Sequence, residues 1–278
     1  MLTRRQGLHL LGTAALIGAG LRPAWAADAS LDAVKQNGVI NIGCEATYPP
    51  FTFRKGSDIV GYDVDLAKMV FAPINVKPNF IDTEWAGVIP SLYAGRFDII
   101  MSSLSYTKER MAKVAYSIPY AEASQALLIR AKDAGAIRGM DDMSGKVLGV
   151  KLGSPGEILQ KTMDQQIAAA KGAGFAAVKT YDDHPAAYLA LGQGTVDGVL
   201  NTLPTLGDVM KSSNGRFAIV RGVAKQNWAG IAGRQDEGAL IAYISEQLLA
   251  REKDGQLGAL QKTWFGLEFD LPPTVPTL

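Results

Sequence analysis

The residues best suited to chemistry sit in one run, Asp98-Ile99-Ile100-Met101-Ser102-Ser103-Leu104-Ser105-Tyr106-Thr107-Lys108-Glu109-Arg110. The apolar residues before Ser102 read as a buried strand, whose end delivers three serine hydroxyls and several backbone N–H groups. An arginine follows in the first turn of the next helix, for which Thr107 is a suitable N-cap. A guanidinium is a planar fork of donors that matches a carboxylate through two parallel, charge-assisted hydrogen bonds. Ser103, Ser105 and Arg110, with Ser102 beside them, therefore suit an acid ligand. Taken alone, Arg110 is equally compatible with a solvated helix start paired to a surface acid. No histidine base accompanies the serines, which speaks against nucleophilic catalysis.

The rest of the chain narrows the classes. Its 278 residues are 47% hydrophobic and 20% charged, an ordinary globular composition long enough for two lobes. The two histidines, His9 and His184, stand far apart with no Cys-x-x-Cys or His-x-x-x-His spacing, so neither a metal nor another cofactor is expected. The single Cys44 has no internal partner and reads as a packed thiol.

Arg4-Arg5, the uncharged stretch Leu8 to Leu21 and the small residues around Ala24-Trp25-Ala26 form the three parts of an export signal. Cleavage is expected after Ala26, and the adjacent arginines leave the Sec and Tat routes both open. Residues 1–26 hold three of the 28 basic residues and no acid, so 25 basic face 27 acidic residues afterwards. A chain so close to neutral has no footprint for nucleic acid or an anionic membrane.

Past residue 38, short β-rich runs alternate with helical segments, the pattern of βα units around mostly parallel sheets. Val39–Gly43, Val76–Ile81 and Asp98–Met101 read as strands, with helices over Asp63–Val70 and Ala86–Leu92 and another opening at residue 107. A second series follows Gln125: strands at Ala126–Ile129, Val147–Val150, Val178–Tyr181 and Val196–Leu200, with helices after Gly156 and over Pro185–Leu191. The chain returns through Trp228–Ala232 to one long helical region, Glu237 to Phe265, and a proline-rich tail. Two such units place a ligand in the crevice between their strand ends.

Several landmarks recur in one order: Gly43-Cys44-Glu45-Ala46-Thr47-Tyr48-Pro49-Pro50-Phe51, Gly61-Tyr62-Asp63-Val64-Asp65-Leu66-Ala67 and Gly95-Arg96-Phe97-Asp98, then the serine and arginine run, Lys146-Val147-Leu148-Gly149-Val150, and Thr263-Trp264-Phe265-Gly266. With these, the chain from about Val39 to Gly266 resembles the polar amino-acid branch of the periplasmic solute-binding proteins, family 3, and is similar to its basic amino-acid and histidine binders.

The resemblance implies an α/β, type II periplasmic-binding fold: two α/β lobes, residues 28–124 plus 228–278 and residues 130–222, joined by hinge segments at 124–130 and 223–228. It implies the substrate-binding subunit of an ABC importer, a periplasmic monomer that closes over an amino-acid-like ligand and is read by a membrane permease. Ser103 and Ser105 match ligand-facing positions, with Ser102 beside them, and Arg110 matches the carboxylate-binding arginine. Tyr48 and Trp85 match two aromatic walls, and Glu45 matches an acid that reaches a cationic side chain. Read without the resemblance, Trp85 suits core packing and Glu45 a surface strand end.

Two positions depart from that pattern. Pro155 stands where a hydroxyl residue usually holds the carboxylate and has neither hydroxyl nor N–H, leaving Ser154 and the Gly156 N–H as substitutes. Thr202 stands where an aspartate usually pairs with the α-ammonium. An unpaired buried ion is costly, so Glu45, Asp182 or Asp183 must supply the charge, or the ligand is not a standard α-amino acid. Two other classes stay open: a lyase of the cyclohexadienyl dehydratase type on the same fold, and an accessory protein that docks a partner.

Overall fold

A computed structural model describes residue 28 and residues 30–278. The expected export signal and its cleavage site lie outside the described residues. Among these, no helix is long and apolar enough to cross a membrane.

The first unit follows the apolar alternation of the sequence. After α1 (Ser30–Asn37) comes β1 (Val39–Cys44), and β2 (Thr47–Tyr48), β3 (Thr52–Lys55) and β4 (Asp58–Val60) then form a small antiparallel sheet. Next are α2 (Tyr62–Phe71), β5 (Lys77–Asp82), α3 (Val88–Tyr93), β6 (Ile99–Ile100), α4 (Lys108–Met111) and β7 (Ala115–Glu122). Sequence periodicity does not mark β7. Its Pro119 lacks an N–H for a ladder, and the strand accordingly sits at a sheet edge, where only one side is paired.

The second unit holds β8 (Gln125–Arg130), β9 (Val147–Lys151), α5 (Pro155–Lys171), β10 (Ala177–Tyr181), α6 (His184–Gly192), β11 (Gly198–Thr202), α7 (Leu203–Ser212) and β12 (Phe217–Val220). The chain then returns to the first sheet as β13 (Trp228–Gly233) and ends in α8 (Gly238–Lys253) and α9 (Gln256–Phe265). The expected single terminal helix is thus two, broken at Gly255, whose φ of 78° only glycine adopts at no steric cost.

Both large sheets share one plan. Their strand orders are β5-β1-β6-β13-β7 and β10-β9-β11-β8-β12, and in each the fourth strand alone runs against the others. The reversed strands β13 and β8 are the ones by which the chain enters each sheet from the other. Of the segment 124–130 expected as a hinge, Gln125–Arg130 is therefore a buried strand locked on both sides, and only Ala123 and Ser124 separate β7 from β8.

Apolar clusters cover both faces of each sheet. One face of the first carries Ile40, Ile42, Leu66, Ile231 and Ile244, and the other Val88, Leu92, Phe97 and Ile100. The second is lined by Leu127, Leu148 and Ile167 on one side and Leu128, Leu191 and Val199 on the other. The parallel strands β1, β6, β9 and β11 end toward the same gap between the sheets, and the polar residues just past their ends meet there.

Candidate functional site

Past β6 the chain turns sharply. Ser103 takes a left-handed conformation, φ 51°, and its N–H donates to the Tyr120 hydroxyl at 2.8 Å. A non-glycine residue held there is costly and stays only because its surroundings fix it. Ser102 works inward: its Oγ accepts from the Glu45 N–H at 3.2 Å and pairs with Thr52 Oγ1 at 2.9 Å. The Ser105 carbonyl accepts from Arg110 Nη1 and from the Tyr116 hydroxyl, each at 3.1 Å. Thr107 caps α4 as expected, its Oγ1 accepting from the Arg110 N–H at 3.2 Å.

Side chains from the two sheets bond across the gap. Arg110 Nη2 donates to the Gly153 carbonyl at 2.8 Å, and Trp85 Nε1 donates to the same oxygen at 3.1 Å. The Tyr48 hydroxyl donates to Asn201 Oδ1 at 2.7 Å and lies 2.9 Å from Thr202 Oγ1. Lys151, at the end of β9, pairs with the Glu45 carboxylate at the end of β1, and both are almost fully buried. Its Nζ stands 4.7 Å from the Trp85 ring centroid and 5.1 Å from that of Tyr48, within cation–π range of both.

These contacts enclose a small cavity of about 10 Å³, lined by Glu45, Tyr48, Trp85, Ser102, Ser103, Ser105, Gln125, Lys151, Ser154, Pro155, His184, Asn201 and Thr202. Three lining residues hold polar atoms without a hydrogen-bond partner among the described residues: Ser103 Oγ, Gln125 Nε2 and both ring nitrogens of His184. Buried polar groups are almost always paired in folded proteins, so this concentration marks a surface shaped for a guest. Burial, reinforced by the Lys151 charge, pushes His184 well below the usual imidazole range and keeps it neutral. Burial pushes the Tyr48 phenol up to about 12, so it acts as a hydroxyl. Burial also lowers the Lys151 ammonium, while Glu45 opposes that shift.

Most of the residues singled out in the sequence meet here. Glu45, Tyr48, Trp85, Ser102, Ser103, Ser105, Ser154 and Thr202 all border the cavity. Ser154 also caps α5, its Oγ accepting from the Glu157 N–H at 3.2 Å. Arg110 stands beside the cavity, facing an adjoining one of about 560 Å³. Gly156 is not brought into the lining: it packs behind the wall, where an added Cβ would lie 3.0 Å from Leu200 Cβ. The Thr202 hydroxyl is engaged by Tyr48 and, at 3.0 Å, by Thr205. Asp183 caps α6 and Asp182 is exposed, and both border an outer cavity of about 480 Å³ rather than the enclosed one.

Sequence reasoning missed Gln125, Lys151, His184 and Asn201. A cationic residue closing the apolar run Val147-Leu148-Gly149-Val150 was the available signal for Lys151, since ligands of open α/β sheets gather at strand C-termini. His184 opens a helix after β10, the same kind of position, whereas Gln125 opens the reversed strand and carries no comparable signal.

Comparison with known proteins adds an independent line. The model of the bacterial extracellular solute-binding proteins, family 3, matches residues 40–267. The L-cystine-binding protein TcyJ of Escherichia coli (strain K12) is 29% identical over 95% of this chain and 96% of its own length. The ABC transporter arginine-binding protein 1 of the same organism is 29% identical over 81% of this chain and 90% of its own. The crystal structure of the ancestral amino acid-binding protein AncCDT-1, a precursor of cyclohexadienyl dehydratase, matches with a TM-score of 0.75 at 28% identity, over 85% of this chain and 99% of that one.

Proposed function

The chain belongs to family 3 of the bacterial extracellular solute-binding proteins, and from that premise we propose that its inter-sheet cavity captures a small, polar, carboxylate-bearing solute of the amino-acid type for an ABC importer. The type II periplasmic-binding fold supplies the means: two α/β bodies whose strand ends face one another across a gap. The observation that carries the reading is the cluster of partnerless, buried polar atoms on Ser103, Gln125 and His184 around one cavity, with the Arg110 guanidinium at its edge.

Arg110 takes the carboxylate in this reading. Two of its donors hold the Ser105 and Gly153 carbonyls, so the guanidinium is already oriented and loses little freedom on binding. Tyr48 and Trp85 form the walls, and Glu45, the acid among the described lining residues, is already paired with Lys151. The lobes are residues 28–122 with 228–278 and residues 125–222. They close about Ala123–Ser124 and the return segment 223–228, and the permease reads the closed form. The protein acts as a monomer, exported by the N-terminal signal and cut after Ala26.

The enzymatic alternative arises because AncCDT-1, itself an amino acid-binding protein, is a precursor of cyclohexadienyl dehydratase. It requires a positioned general acid or base. Glu45 is held in an ion pair with Lys151, and burial holds His184 well below the usual imidazole range, so binding is the reading the geometry favours. Native mass spectrometry of freshly purified protein, followed by calorimetry with an amino-acid panel on wild type and Arg110→Ala, is the test. A bound carboxylate, no turnover and loss of binding in the variant are expected; unchanged affinity in Arg110→Ala overturns the assignment.

A further inference from the structure

The enclosed cavity carries one acid and one cation, and they are paired to each other. Glu45 comes from β1 and Lys151 from β9, 106 residues apart and on different sheets. The Lys151 ammonium sits between the two aromatic walls, close to the rings of both Trp85 and Tyr48. An acid flanked by aromatic faces is the kind of environment that recognises a ligand cation. Here a side chain of the protein itself fills it.

Resting on the function proposed above, we propose that Lys151 is a specificity determinant: a tethered cation that occupies the Glu45, Tyr48 and Trp85 cage, excludes ligands with a basic side chain, and donates hydrogen bonds to a ligand whose far end bears a carbonyl or carboxylate acceptor. Three observations support this direction. A second cation would have to enter beside an ammonium that is only 2% exposed, where solvent screens little. Gln125 Nε2, on the same cavity, is also a donor without an acceptor. The Glu45 and Lys151 charges cancel, which matches a guest of no net charge better than one carrying an additional positive charge. The outer cavity, bordered by Asp82, Glu84, Asp182 and Asp183, attracts positive charge and disfavours a guest of high negative charge, so the exclusion of basic ligands rests on Lys151 inside. The ligand class is therefore a zwitterionic amino acid with an acceptor-bearing side group that is uncharged or itself zwitterionic.

Titration calorimetry with L-glutamine, L-cystine, L-arginine and L-lysine on wild type, Lys151→Met and the Lys151→Met/Glu45→Gln double variant tests it. Wild type is expected to bind at least one of the first two and neither basic amino acid. Lys151→Met, with Glu45 released, should gain affinity for L-arginine or L-lysine by tenfold or more, and the double variant should lose that gain. Tight binding of a basic amino acid by wild type overturns the inference, and this arm does not depend on any variant folding. So does a folded Lys151→Met protein whose ligand profile is unchanged, while carboxylate binding through Arg110 would still stand. If no probe binds wild type or either variant, the amino-acid reading falls and this inference with it.

Discussion

Arg110 donates from Nη2 to the backbone carbonyl of Gly153 at 2.8 Å, joining the residue after the serine loop of one sheet to the loop after β9 of the other. The bond places a guanidinium and a glycine at the seam where two α/β bodies meet. Gly153 is held at φ 70°, and a Cβ there would lie 3.2 Å from Ala86 Cα on the opposing face. Left-handed backbone costs a non-glycine residue about 1–2 kcal/mol, and the close approach adds to it in the closed form. Gly153→Ala is expected to weaken ligand affinity about tenfold or more while the far-ultraviolet circular dichroism stays native. Calorimetry against wild type checks this, and an unchanged dissociation constant would show that the seam is not tight at Gly153.

Tyr48 makes its hydroxyl contacts only with the second sheet, donating to Asn201 and pairing with Thr202. Tyr48→Phe keeps the ring that stacks on Phe51, with centroids 5.8 Å apart. What it removes is a hydrogen bond between lobes, worth about 0.5–1.5 kcal/mol net. The expected result is a threefold to tenfold loss of affinity, mostly as faster ligand release, with a melting temperature of the ligand-free protein within a few degrees of wild type. Stopped-flow dissociation kinetics separate this from a loss of folding.

Asp63 lies fully buried, close to Tyr120 and Ser103, and burial raises its carboxyl to about 8. A raised carboxyl pKa means that the folded chain retains a proton the unfolded chain gives up near pH 4. The stability it contributes is thus present at low pH and is lost as pH rises toward about 8. Denaturant unfolding of wild type and Asp63→Asn across pH 4 to 9 should show the difference moving in favour of asparagine up to about pH 8 and levelling off above it. A difference independent of pH would mean that Asp63 is ionised in the folded protein.

Much of the architecture was legible along the chain because it follows from short-range physics. Apolar periodicity located most strands of both sheets, and Thr107 marks a helix start because its hydroxyl accepts from an N–H three residues on. The serine and arginine run lay within one strand, turn and helix, so its convergence was a local matter. The family resemblance places Glu45, Tyr48 and Trp85 on the same cleft.

The chain by itself determined the βα order, the Thr107 cap and the serine-to-arginine run, each a property of neighbours within a few residues. Only the tertiary structure decided that Lys151 reaches Glu45, that Gln125 and His184 share a cavity with Ser103, and that Gln125–Arg130 is a strand paired on both sides and not part of a hinge. Those facts depend on two sheets meeting at strand ends more than a hundred residues apart. No local propensity or spacing reports which side chains will face one another across such a gap, because the partner of each is set by how the two bodies close and not by the chain beside it.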